Sequence, residues 1–324
     1  LVSDANCWRP EGRAACHRES IGRDLIPAAA VLTACLLLAG CGAIGLNPEQ
    51  RAASIEFGKS LAIYGKLMAE ETSHVRSEVK HMRVLALSMP SERSRQLFAQ
   101  GGYTRLGEGL DEPRLEKLVA LGGGADRFGS SLAKVADLNS TTADEKLFST
   151  ASYNFVLVAS SLAEGLANVS VAAPAVNLVT FASTDAYRRR IITQSLRESE
   201  PTARAAIDRV NAEFTSDDPG SLLVVYSGAA KQLARLLENG DASFRNADLS
   251  ATDRNLVATA YRALFRNREH MRYVTSRQQE LAVDAEAAYQ AMLATLNGEN
   301  ADLAAIDRFS NAVFQTSLAF ESLR

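Results

Sequence analysis

Apolar residues recur every three or four positions along most of the chain beyond residue 47, and two-residue alternation is absent over any useful length. The clearest run is Leu61, Tyr64, Met68, Thr72, Val75, Val79, Met82, Ala86 and Met89. That spacing puts every member on one side of a helix and predicts a heptad-like seam. Asn47 stands where an N-cap belongs, Pro48 takes the first helical position, and Pro90 ends the run. The predicted helix, about 48–89, is roughly 60 Å long at 1.5 Å per residue.

A second long helix is predicted at about 251–297. Its seam is Val257, Tyr261, Leu264, Met271, Val274, Leu281, Ala285, Ala288, Met292 and Leu296, with Arg268 and Gln278 at two seam positions. Ser250 with Asp253 opens it and Asn297-Gly298 stops it. A last helix begins near Asn300 and carries Leu303, Ile306, Phe309, Val313, Phe314, Leu318 and Phe320.

Shorter pieces lie between. Pro113 with Glu116 and Leu118 predicts a helix over about 112–121. The run Gly122-Gly123-Gly124 reads as a break, and a second helix follows over about 125–138. Thr142 with Glu145 reads as a capping box. A helix after Arg188-Arg189-Arg190 is expected to end before Pro201, with residues 202–215 forming another piece. Leu222, Val225, Leu233, Leu236 and Leu237 mark a helix over about 219–238, stopped by Asn239-Gly240. From Lys146 to Asp185 the only charged residue between is Glu164. This apolar segment, 147–184, reads as a helical hairpin turning near Asn168 to Pro174. The fold class expected is all-α: an elongated bundle of roughly seven to nine helices, with two long helices and a central apolar hairpin.

Ahead of the bundle, residues 25–40 are apolar but contain Pro27 and fall short of the about 20 residues a spanning helix needs. They fit the apolar core of a secretory signal. The run ends Leu38-Ala39-Gly40-Cys41, which resembles the lipobox of bacterial lipoproteins at all four positions. The resemblance covers about 20 residues. It implies that a diacylglycerol joins the Cys41 sulfur, that a peptidase cuts between Gly40 and Cys41, and that the new amino group is acylated. Two or more acyl chains, at about 0.8 kcal/mol per buried methylene, anchor a domain stably where one does not. Gly42 follows the cysteine where an Asp would retain such proteins at the inner membrane. The implied location is the periplasmic face of the outer membrane, with the inner membrane as the alternative. Residues 1–40 are then a signal region, of which 1–20 read as an over-extended start, and 41–324 a helical periplasmic domain.

Charge adds little. Residues 1–40 hold Arg9, Arg13, Arg18 and Arg23 against Asp4, Glu11, Glu19 and Asp24, so their removal leaves the net charge at −3. That balance gives no nucleic-acid footprint. The cysteines are Cys7, Cys16, Cys35 and Cys41, so the mature domain forms no internal disulfide and rests on packing.

Candidate chemistry is sparse. His74 and His81 lie seven apart on the first long helix, with Glu70 or Glu78 as a further ligand, but the His-Glu-x-x-His arrangement is missing and polar surface is the better reading. His270 sits in a basic stretch with no acidic partner at a spacing that would orient it as a base. Gly122-Gly123-Gly124 lacks the Lys-Ser/Thr end of a phosphate loop, and residues 241–252 lack the central glycine and acidic twelfth residue of a calcium loop. No cofactor or metal is expected. Arg254, Arg262, Arg266, Arg268, Arg272 and Arg277 make the first half of the second long helix basic, either as a solvated face paired with acids or as contact for anionic headgroups or an acidic partner. Arg188-Arg189-Arg190 stands where cations would flank a membrane-inserted hairpin.

The function expected is that of a membrane-tethered, non-enzymatic interaction or scaffold protein, with a lipid anchor, an envelope protein as partner and no nucleic acid. The alternative is an α-helical membrane-permeabilising protein using 147–184, with Val156, Leu162, Val179 and Phe181 as its marking residues. A binding module with a cavity between helices, or an enzyme on an unfamiliar helical scaffold, are further possibilities.

Overall fold

In the computed structural model the chain divides into two units, Leu1–Ile44 and Gly45–Arg324. The residues described are 45–90, 96, 99, 106–162, 185–244 and 249–323, all in the second unit. Among them are seven helices and no strand: α1 (Pro48–Ser88), α2 (Glu112–Ala136), α3 (Thr142–Leu162), α4 (Asp185–Thr215), α5 (Leu222–Phe244), α6 (Ala251–Asn297) and α7 (Ala304–Leu323). The fold is all-α, as the spacing predicts.

α1 is the helix the others gather on. Its start is fixed by a reciprocal cap: the Gln50 N–H donates to the Asn47 side chain at 2.7 Å, and the Gln50 side-chain oxygen accepts from the Asn47 N–H at 3.1 Å. Its predicted seam is buried from Leu61 through Met89. α1 packs on α2, α5, α6 and α7, while α3 sits on α2 and α4, and α4 on α6. α6 runs antiparallel to α1. Gln50 donates to the Thr295 carbonyl at one end, Gln278 to the Tyr64 hydroxyl further along, and Asn267 to Glu78 towards the other end. Gly298 closes α6 in the left-handed region at φ +77, where an L side chain would be strained.

The α1–α2 contact is closer than ordinary side-chain packing. Gly58 faces Gly129 and Gly65 faces Gly122, the two pairs one heptad apart in antiparallel order. A β-carbon at Gly58 would lie 2.7 Å from the Gly129 carbonyl oxygen, and one at Gly65 2.5 Å from that of Gly122. The reverse positions are as tight, and Ala62 and Ala69 fill the same seam. Backbone therefore lies against backbone, which only glycine allows.

This overturns the expected break at Gly122-Gly123-Gly124, since α2 is one helix from Glu112 to Ala136. Glycine costs a helix interior about 1 kcal/mol per residue relative to alanine, and burial of Leu115, Leu118, Leu121, Phe128, Leu132 and Val135 on either side outweighs it. Phe128 also stacks between Phe148 and Phe155 of α3, with centroids 5.6 and 5.3 Å away.

Four smaller expectations change for similar reasons. α4 runs through Pro201, which is exposed, because Leu196, Ser199, Ala203 and Ala206 bury the opposite face on both sides of it. α5 continues past Asn239-Gly240 to Phe244. The cap of α3 is Thr141 with Asp144, one residue earlier than Thr142 with Glu145: the Thr141 N–H donates to Asp144 at 2.8 Å. Glu145 is instead buried against Arg188. α7 begins at Ala304, a little later than the expected Asn300. Of the apolar hairpin, the first arm is α3, and residues 163–184 lie outside those described.

The glycine geometry predicts opposite signs for similar substitutions. Gly65→Ala or Gly129→Ala drives a methyl into backbone and should cost about 1–3 kcal/mol. Gly123→Ala meets nothing within 4 Å and should stabilise by up to about 1 kcal/mol. Urea unfolding monitored by circular dichroism reads both. A second prediction concerns acid. Glu112 at the start of α2 meets Lys80 at 2.7 Å and Arg76 at 2.5 Å on α1. The Lys80 hydrogen bond, ahead of the Arg76 charge, holds its carboxyl below the usual 4.5. A depressed carboxylate stabilises above its unfolded pKa and loses that contribution as pH falls through the folded value. Glu112→Gln should therefore flatten the acid limb of a stability–pH profile below about pH 4.5 and leave the limb above neutrality unchanged.

Candidate functional site

Among the described residues, two adjoining regions are the candidates. The first is a buried polar cluster between α1 and α6. Nε2 of His270 lies 2.6 Å from Oε1 of Glu71, and both residues are 2% exposed. Asn267 donates to Glu78 at 2.7 Å, and the Arg266 guanidinium approaches the same carboxylate at 3.5 Å. His74 sets its ring 4.8 Å from that of His270, nearly perpendicular, and Phe320 of α7 lies 5.6 Å from it. Tyr226 enters from α5. Burial raises its pKa, and the charges of Glu78 and Glu71 push it further the same way, so the phenol stays neutral. Among the described residues, the Tyr226 hydroxyl, His270 Nδ1 and Asn267 Oδ1 are buried without a hydrogen-bond partner.

His270 therefore has the acidic partner that local spacing does not reveal, because Glu71 comes from another helix. The pair is not placed for catalysis on a substrate. A general base needs the proton it abstracts within hydrogen-bond reach, and this imidazole is closed over by α1 and α7. The cluster acts instead as a specific lock between α1 and α6. No group of three His, Cys, Asp or Glu side chains able to hold a metal occurs among the described residues, and His81 is exposed.

The second region is a groove of about 700 Å³ between α5 and α6, lying over Tyr226 and Met271. Ala230, Ala234 and Leu237 line it from α5, and Tyr261, Leu264, Phe265 and Arg268 from α6. The α6 seam changes character here. From Met271 to Leu296 its apolar members are buried. Towards the N-terminus, Val257 and Leu264 are only half-buried, Tyr261 is 39% exposed, and neighbouring Phe265 is 70% exposed. Arg268, at a seam position, is on the surface. Along the groove, the described residues cover this helix only in part.

The six arginines of α6 are all exposed. Arg266 pairs with Glu78 and Arg277 with Glu280. Arg254, Arg262, Arg268 and Arg272 make no ion pair among the described residues. On α5, Lys231 and Arg235 are exposed in the same condition. The triplet after the apolar segment is different: Arg188 is buried and donates to the Ser140 carbonyl at 2.5 Å, Arg189 donates to the Leu296 carbonyl at 2.7 Å, and Arg190 is exposed. Two of those cations thus tie the bundle together rather than flank it.

Of the residues marked from sequence, Val156 is packed in the bundle at 8% exposure and Leu162 is half-buried at the end of α3. Gly40, Cys41, Val179 and Phe181 lie outside the described residues. No protein-family model, curated protein or solved structure matches the chain.

The lock makes a stability prediction. His270→Leu removes the α6 partner of the buried Glu71 carboxylate and should cost about 3–5 kcal/mol. Pairing it with Glu71→Met should recover most of that loss. Urea midpoints of the single and double variants check the expectation, and additive losses would refute it.

Proposed function

We propose that the chain is a membrane-tethered envelope lipoprotein that works as a non-enzymatic interaction protein, anchored through Cys41 and docking an envelope partner on the α5–α6 face. The observation that carries this reading is the α6 seam, incompletely covered among the described residues, with its exposed Phe265 and arginines that make no ion pair among them. Contiguous apolar surface beside charge is the mark of a binding surface rather than of ordinary exterior. Position supports it too. Cys41 precedes the N-cap Asn47 by a few residues, and that end of α1 lies by Thr295 of α6. Arg268 stands about 40 Å away along α6 at 1.5 Å per residue. The docking face thus stands well along the helix pair from the N-cap at which α1 begins.

The buried state of the His270–Glu71 pair also favours a binding role over an enzymatic one. The alternative, membrane permeabilisation through 147–184, gains nothing from the described residues. None of their helices is long and apolar enough to cross a membrane.

Cys41→Ser should abolish incorporation of labelled palmitate and release the protein from the membrane fraction. Unchanged labelling and retention would remove the anchor from the reading. Dye release from anionic liposomes by the full chain, lost in Val156→Asp with helix content intact, would favour permeabilisation instead.

A further inference from the structure

This inference rests on the reading of the α5–α6 groove as the docking face, and it names the occupant. Three observations converge there. The first is spacing. Val257, Tyr261, Leu264 and Arg268 continue the three-four rhythm that packs α6 on α1 further along, but here they are only partly covered. A row of that period is a surface for another helix. The second is shape. Opposite that row, α5 offers Ala230 and Ala234, one turn apart, and these short side chains leave the space of about 700 Å³. The concavity runs between two helices, which suits a rod seated along them and not the broad face of a bilayer.

The third is charge. Lys231 and Arg268 line the groove, Arg235 and Arg272 stand one turn beyond each, and Arg254 and Arg262 extend the same half of α6. None of these six is ion-paired among the described residues. Among the described residues, the acids at the groove are Glu238 on its α5 wall and exposed Glu269 beside Arg268. The face is thus cationic on a chain whose net charge is −3, so the excess is local and calls for an anionic complement.

We propose that the groove takes an amphipathic α-helix of an envelope protein. Its apolar side chains, at three-four spacing, seat between Phe265 and Leu264 on one wall and Ala230 and Ala234 on the other. Its acidic flanks face Lys231 and Arg268. The acids confer choice of partner and speed of encounter, and the apolar row holds the complex.

The test is site-specific photo-crosslinking in the full chain, expressed in its own cells. p-Benzoylphenylalanine replaces Phe265, and a control carries it at Leu138, which is 71% exposed in the turn after α2. The crosslinked peptide is then sequenced by mass spectrometry. The expected result is an adduct at position 265 and not at 138, mapping to a segment with apolar residues at three-four spacing and more Asp and Glu than Lys and Arg. Adduct yield should fall at least about tenfold in Lys231→Glu/Arg268→Glu, whose exposed substitutions should leave helix content and Tm in place. No adduct, an adduct on acyl chains, on a second copy of this chain, or on a segment without that pattern would overturn the proposal, as would undiminished yield in the charge-reversed variant. Palmitate labelling of Cys41→Ser, measured in parallel, reports the tether separately: the anchor reading can fail with the adduct intact, and the reverse.

Discussion

The backbone approach of α1 to α2 sets the geometry on which the rest of the bundle depends. No cysteine follows Cys41 in the chain, so no disulfide cross-links these helices. Gly58 on Gly129 and Gly65 on Gly122 bring one helix onto another with nothing between them. The gain is many short contacts along two backbones, each small and collectively large. Removing side-chain bulk from that side also leaves the others for large residues. Phe57 and Tyr64 are buried there against α6 and α7, with Phe57 meeting Tyr289 edge-on at 5.6 Å.

Much of this was legible in the one-dimensional pattern. The α1 seam holds from Leu61 to Met89, and the ends of the two long helices fall where Asn47, Pro90, Ser250 and Gly298 place them. What stayed hidden depends on partners distant in sequence. Three consecutive glycines are locally a breaker, and their helical role emerges only when the seven-residue spacing of Gly122 and Gly129 is set against that of Gly58 and Gly65. Pro201 is likewise a local stop overridden by burial on the opposite face of α4. Local spacing gives His270 no acid because its acid is on α1. The only trace was a polar residue beside a seam position on each helix: Glu71 before Thr72, and His270 before Met271. The groove was hidden for the converse reason. Periodicity predicts which side of α6 is apolar, but not where along it a partner stops.

The polar lock and the groove occupy the same stretch of the bundle, and each explains part of the other. Replacing apolar contacts by Glu71–His270 and Glu78–Asn267 specifies how α6 lies on α1, because those hydrogen bonds form in a single alignment. Such pairs are weak evidence of net stability and better evidence of specificity. A helix held in one alignment beneath an open groove keeps Phe265 and Arg268 at fixed positions. For the docking proposed above, less of the cost of ordering would then fall on association, since pre-organised surfaces bind more tightly for that reason.

The heptad-spaced glycines also limit how this protein can vary in descent. One residue inserted between Gly58 and Gly65 would turn everything after it by about 100° about the α1 axis. It would leave one glycine on its partner and swing the other away, with a side chain turned into the backbone of α2. A compensating insertion between Gly122 and Gly129 would have to arise on the facing helix at once. Relatives of this chain should therefore keep those two intervals at constant length and confine insertions and deletions to stretches outside them.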